Sequence, residues 1–97
     1  SLSDNTTGTR NTAVGTYTLD SNTTVNDNTA VGYAALTSIT TANESTAIGS
    51  EAGFANTTGD RLTAVGYYAG RANTTGVFNT CVGVLMRYQQ ILLVKKT

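Results

Sequence analysis

The sequence predicts a parallel β-solenoid, an all-β fold in which short strands stack in successive coils. The tetrapeptide Thr-Ala-Val-Gly, or a one-residue variant of it, recurs five times at intervals of 17 residues. Paired threonines recur at the same interval, and the repeat lacks the 3.6-residue periodicity of a helix. Threonine, valine and isoleucine have branched Cβ atoms that suit a pleated sheet. We therefore expect one coil for every 17 residues.

Each predicted coil contains a short strand that ends at a glycine, where the backbone must turn tightly. A second glycine follows the paired threonines in three of the five copies and marks another corner. The complete repeats are residues 11–27, 28–44, 45–61 and 62–78, preceded by half a repeat in 1–10 and followed by the start of a fifth in 79–83. The turn glycines are Gly15, Gly32, Gly49, Gly66 and Gly83.

Stacking of the coils about 4.8 Å apart places equivalent residues above one another in columns. Neighbouring residues on a strand point to opposite faces, so one column lines the interior and the next faces outward. Alternation alone leaves open which column faces inward. The predicted repeat core is the apolar Val column, Val14, Val31, Ile48, Val65 and Val82. The predicted subunit interface is the small-residue Ala column, Ala13, Ala30, Ala47, Ala64 and Cys81.

The segment 84–97 differs from the repeat domain, residues 1–83. It contains no glycine and is the most apolar part of the chain. Leu85, Tyr88 and Leu92 have helical or heptad spacing, whereas residues 91–94 would equally suit a strand. Solenoids need atypical terminal segments to cover their last coil. The segment is therefore predicted to be a cap or the neck of an oligomeric stalk.

Composition argues against several classes of function. The formal net charge is zero, which gives no indication of a nucleic-acid partner. Without histidine, and with Cys81 as the single cysteine, the chain offers no nucleophile–base pair and no zinc ligand set. Asp27 and Glu44 share a repeat position, but a solvated charge ladder explains them better than paired catalytic carboxylates do. We expect neither an enzyme nor a cofactor.

The sequence gives no indication of membrane insertion or of a signal peptide. Its apolar runs are shorter than the roughly 20 residues of a membrane helix. The first residues carry neither a basic nor an apolar leader segment.

Tyrosines follow the corner glycine in several coils. Tyr33 and Tyr67 share the position directly after the glycine, and Tyr68 lies beside it. Rings at an exposed corner can stack on a sugar face or pack against a neighbouring subunit. These three residues are the candidates for ligand or subunit contact.

The motif Asn/Ser-Thr-Ala-Val/Ile-Gly, followed by Tyr-x-Ala and Asn-Thr-Thr-Gly, extends over residues 5–83. It resembles the head repeats of YadA-like trimeric autotransporter adhesins and the repeat arrays of phage tail-fibre proteins. The resemblance implies a left-handed parallel β-roll, a homotrimer, and attachment at a cell surface or virion, hence an extracellular location. The adhesin repeat is commonly shorter and usually carries an additional apolar residue where this chain has Thr12, Thr29, Thr46, Thr63 and Thr80.

Three functions compete at this point. The first is a non-enzymatic structural or adhesive domain whose partners are copies of itself and a host-surface glycan or protein. The alternative is ice binding through regular threonine columns, although adjacent Thr-Thr pairs send their side chains to opposite faces. The third is a fibre segment without a ligand.

Overall fold

The computed structural model describes residues 7–20, 24–84 and 94–96. Strands β1 to β5 are parallel and in register, so residues 17 apart are direct neighbours in the sheet. The described residues contain no helix. The predicted all-β parallel solenoid with 17-residue coils is therefore confirmed. The strands are β1 (Thr12–Val14), β2 (Thr29–Val31), β3 (Thr46–Ile48), β4 (Thr63–Val65), β5 (Asn79–Val82) and β6 (Val94–Lys96).

The coils turn at fixed positions of the repeat, beginning with the predicted glycine corner. All five turn glycines have φ between 116° and 132°. Non-glycine residues also adopt left-handed backbone at recurring positions, and each is held by the coil before it. The amide of Glu51 donates to the carbonyl of Tyr33 at 2.7 Å, and the amide of Tyr68 donates to that of Ser50 at 2.9 Å. These bonds extend the ladder beyond the strands and offset a conformational cost of roughly 1–2 kcal/mol per residue.

The Ala column, not the Val column, faces the interior. Ala30, Ala47 and Ala64 are fully buried, whereas Val14 is 57% exposed and Val82 51% exposed. The predicted core of Val14, Val31, Ile48, Val65 and Val82 is therefore wrong. The predicted interface of Ala13, Ala30, Ala47, Ala64 and Cys81 is wrong for the same reason.

The narrow coil explains this arrangement. Large side chains of the connecting segments, among them Leu19, Leu36 and Ile39, already fill the interior opposite the strands. The opposite walls are close, because a Cβ added to Gly53 would lie only 3.7 Å from the Cβ of Ala47. Only a methyl group fits on the inward side of the strand. The branched residues therefore project outward.

Leucine and glycine exchange places along the interior. The first two described coils carry Leu19 and Leu36 where the next two carry Gly53 and Gly70. Leu62 fills the volume that these glycines leave free, since Cβ atoms added to them would lie 3.1 and 3.6 Å from its methyl carbons. Leu62 is fully buried. The core volume is thus conserved although the repeat sequence changes.

Buried amide side chains link successive coils. The Oδ1 atom of Asn11 accepts from the amide of Asn28 at 3.0 Å, and Oδ1 of Asn28 accepts from the amide of Ser45 at 2.8 Å. The Nδ2 atom of Asn28 also donates to the carbonyl of Ala42 at 3.2 Å. Each side chain replaces backbone pairing at a position where the chain enters the strand. The thin apolar core is therefore supplemented by buried hydrogen bonds.

Replacing Asn28 with alanine is expected to lower the free energy of unfolding by about 2–4 kcal/mol, because the Ser45 amide and the Ala42 carbonyl would lose their partners inside the protein. Urea unfolding followed by circular dichroism measures the change. The control is Thr58→Ala at an exposed corner, which should stay within about 0.5 kcal/mol of the parent. An equal effect of the two variants would contradict the role of the buried amide.

The edge of β5 is occupied by β6. The two strands are antiparallel, with Asn79 opposite Lys96 and Cys81 opposite Val94. A strand at this place pairs with the edge of the last coil, which is what a cap requires. Residues 85–93, on which the alternative of a helical neck depends, lie outside the described residues.

Candidate functional site

Two outward columns form a regular surface on the sheet, which we call the Thr–Val face. The strands alternate, so the residues two apart on each strand point to the same side. The face is free of charged side chains, and its exposed apolar members include Ile48 at 40% and Val65 at 36%. Its rows repeat at about 4.8 Å, the spacing of neighbouring strands. It comprises the Val column and the Thr column, Thr12, Thr29, Thr46, Thr63 and Thr80.

The predicted tyrosine candidates lie at the corner next to this face, in two separate pairs. Tyr33 is 50% exposed, and its ring meets that of Tyr17 edge to face at 5.9 Å. Tyr67 is 52% exposed, and its ring stacks on that of Tyr68 with centroids 4.0 Å apart and planes 13° apart. A hydrogen bond with Tyr67 raises the pKa of the Tyr68 hydroxyl. Each exposed ring is thus supported by a second tyrosine.

The Tyr67–Tyr68 pair belongs to a larger cluster, which we call the aromatic stack. The guanidinium carbon of Arg71 lies 4.8 Å from the ring centroid of Tyr68 and 4.8 Å from that of Phe54. Because Tyr67 covers one face of the Tyr68 ring, Arg71 covers the other. Glu51 fixes the guanidinium through an ion pair of 2.6 Å. The order of layers is therefore Tyr67, Tyr68, Arg71 and Phe54.

The carboxylates considered as a catalytic pair are engaged in ion pairs between coils. Asp27 accepts from Arg10 at 2.6 and 3.1 Å, and Glu44 accepts from Arg61 at 2.8 Å. The hydrogen bond from Arg10 lowers the pKa of the Asp27 carboxyl. Asp27 is therefore held ionised. The described geometry gives these groups a role in joining coils.

Other chemical groups are sparse in the described part of the chain. It contains no cluster of three or more histidine, cysteine, aspartate or glutamate side chains that could hold a metal ion. Burial raises the pKa of the Cys81 thiol. Within the same residues, no helix has the length and apolar character required to cross a bilayer.

Sequence reasoning identified the tyrosines but not the residues that position them. Glu51, Phe54 and Arg71 belong to different positions of the repeat, and Arg71 is 20 residues from Glu51 rather than 17. A search for equal spacing therefore does not connect them. The available signal was the departure of all three from their columns, which hold other residue types in the first two coils.

Comparisons with protein-family models, with curated proteins and with solved structures found no match to this chain.

Proposed function

We propose that the protein is a non-enzymatic structural and adhesive domain that assembles into a homotrimer through the Thr–Val face. The observation that carries the proposal is a charge-free column of valine and isoleucine that projects outward from five in-register strands. Contiguous exposed apolar surface marks sites of protein association. The resemblance to trimeric adhesin heads and tail-fibre repeats supports three copies and an extracellular location.

The regular spacing of the face favours a second copy of the chain as the partner. A copy aligned side by side has the same coil height, so every row of threonine and valine meets an equivalent row. Complete burial of a valine or isoleucine contributes about 1.5–3 kcal/mol, and side chains that are already half-buried contribute about half of that. Four such residues supply several kcal/mol for each chain. An unrelated partner would need to reproduce the same repeat.

Ile48→Asp is expected to abolish assembly, because a carboxylate in the middle of the face would be buried without a partner. The parent should sediment as three chains of 10.1 kDa each, about 30 kDa in total, and the variant as one chain. Sedimentation equilibrium at micromolar concentration makes the measurement.

The matched control is Thr41→Asp, which introduces the same charge at an exposed corner away from the strands. It should remain trimeric. Circular dichroism of both variants checks that the solenoid is intact. A monomeric parent, or an Ile48→Asp variant that stays trimeric, would contradict the proposed assembly.

Ice binding is a second candidate, favoured by one observation. The outward residues of each strand are a threonine and a valine or isoleucine separated by one residue, so both side chains lie on the same flat face. The objection from adjacent threonines does not apply to these columns. Thermal hysteresis of the parent, lost in Thr46→Tyr, would support this candidate. A trimer without hysteresis would reject it.

A further inference from the structure

The aromatic stack ends in an open ring. Tyr68 covers one face of Tyr67, and the ring of Tyr67 remains 52% exposed. The layers beneath it are held by the cation–π contacts of Arg71 and by its ion pair with Glu51. The Glu51 side chain is only 17% exposed, which restricts the movement of Arg71. Tyr67 is therefore a pre-organised platform whose ordering cost has been met by the fold.

A second exposed ring lies in the same column. Tyr33 precedes Tyr67 by 34 residues, which is two coils, and Tyr17 supports it edge to face. Two coil spacings place the backbones of Tyr33 and Tyr67 roughly 9.6 Å apart. Ser50 occupies the column between them and supplies a hydroxyl group. The surface thus alternates an aromatic ring, a polar group and another aromatic ring.

The chemistry of this strip is neutral. The positive charge of Arg71 is compensated by Glu51, so the cluster offers no net charge to an ionic ligand. The exposed groups are aromatic faces and hydroxyls, which suit a molecule that is apolar on one face and polar around its edge. A pyranose ring has this character, because its axial C–H groups form an apolar face and its hydroxyls lie at the rim.

We propose that Tyr33 and Tyr67 bind a neutral, linear, β-1,4-linked oligosaccharide. Successive rings of such a chain are turned by half a rotation, so the same apolar face recurs at every second sugar. Two tyrosines two coils apart contact sugars of the same orientation, and Ser50 faces the sugar between them. This inference rests on the adhesive part of the proposed function, for which it names the class of ligand, and it does not depend on the number of chains.

Isothermal titration with cellohexaose tests the site, with maltohexaose as an α-1,4-linked comparison of the same composition. Cellohexaose should bind the parent with a Kd of about 1 mM or below, and maltohexaose about tenfold more weakly. Tyr67→Ala and Tyr33→Ala should each weaken cellohexaose binding about tenfold, because a stacking platform is lost. Tyr67→Phe retains the ring and should remain within about twofold of the parent.

The matched control is Phe78→Ala, which removes an exposed aromatic ring outside both tyrosine pairs and should leave the affinity unchanged. Absence of cellohexaose binding, equal affinity for maltohexaose, or an unchanged Tyr67→Ala variant would overturn the inference. Sedimentation of the same samples separates the two proposals. A trimer that binds no sugar refutes only the sugar site, and a monomer that binds refutes only the assembly. Loss of the trimer in Tyr67→Ala would assign the ring to the subunit contact and overturn the site.

Discussion

Substituting Gly32 with alanine is expected to lower the free energy of unfolding by about 3 kcal/mol or more. Gly32 has φ of 128°, a region that is unfavourable for residues with a side chain. An added Cβ would lie 2.5 Å from the carbonyl oxygen of Gly49 and 2.7 Å from its carbonyl carbon. Both atoms belong to the backbone of the next coil, so relief of the overlap would require the coils to separate. Urea unfolding monitored by circular dichroism measures the loss.

The control for this prediction is Gly70→Ala. Gly70 also has positive φ, at 60°, but an added Cβ would have its nearest contact 3.3 Å away, at the side-chain methyl of Ala64. The left-handed conformation alone should cost about 1–2 kcal/mol. The difference between the two variants therefore isolates the contact between stacked glycines. Equal destabilisation would contradict close stacking at the Gly corner.

Leu62→Ala is expected to destabilise the protein by about 3–5 kcal/mol, near the upper end for leucine truncation. Leu62 is fully buried and packs beside Gly53 and Gly70, neither of which has a side chain that could move into the space. The variant would therefore leave an unfilled cavity across two coils. Its urea midpoint should fall without a large change in the m-value if the unfolding remains two-state.

Val65→Ala provides the comparison for Leu62→Ala. Val65 lies three residues later in the same coil but projects from the Thr–Val face with 36% exposure. In the monomeric Ile48→Asp background, where subunit contacts are removed, truncation of Val65 should cost about 1 kcal/mol or less. A larger loss for Val65 than for Leu62 would indicate that the valines, rather than the leucines, form the core.

The period of the fold could be predicted from the sequence, whereas the direction of the strand faces could not. Five phased copies of one motif fix the coil length, and alternation fixes that Ala47 and Ile48 lie on opposite sides. Apolarity favours burial of the larger side chain, and this criterion gave the wrong side. The coil is too narrow for isoleucine opposite Gly53 and Leu62, so available volume decides the orientation. That width depends on the path of the connecting segments.

The candidate site was predictable in part for a related reason. Tyr33 and Tyr67 follow the repeat and could be identified by position. The aromatic stack depends on side chains that break the repeat, and Arg71 reaches across a corner to Glu51 in the preceding coil. Such contacts arise from the curvature of the turns. A one-dimensional period contains no information about them.

The central claim is that each 17-residue repeat adds one coil height to a single stack, and distances between nitroxide labels measured by electron paramagnetic resonance test it most directly. Labels replace exposed Thr7, Thr24 and Thr75 in pairs, with Cys81→Ala as the background and excess unlabelled chain to suppress contacts between subunits. Thr24 and Thr75 are three coils apart and should give about 14 Å, and Thr7 and Thr75, four coils apart, about 19 Å. Narrow distributions that differ by about 5 Å are expected. Broad distributions, or a separation that does not increase by one coil height, would contradict the stacked solenoid.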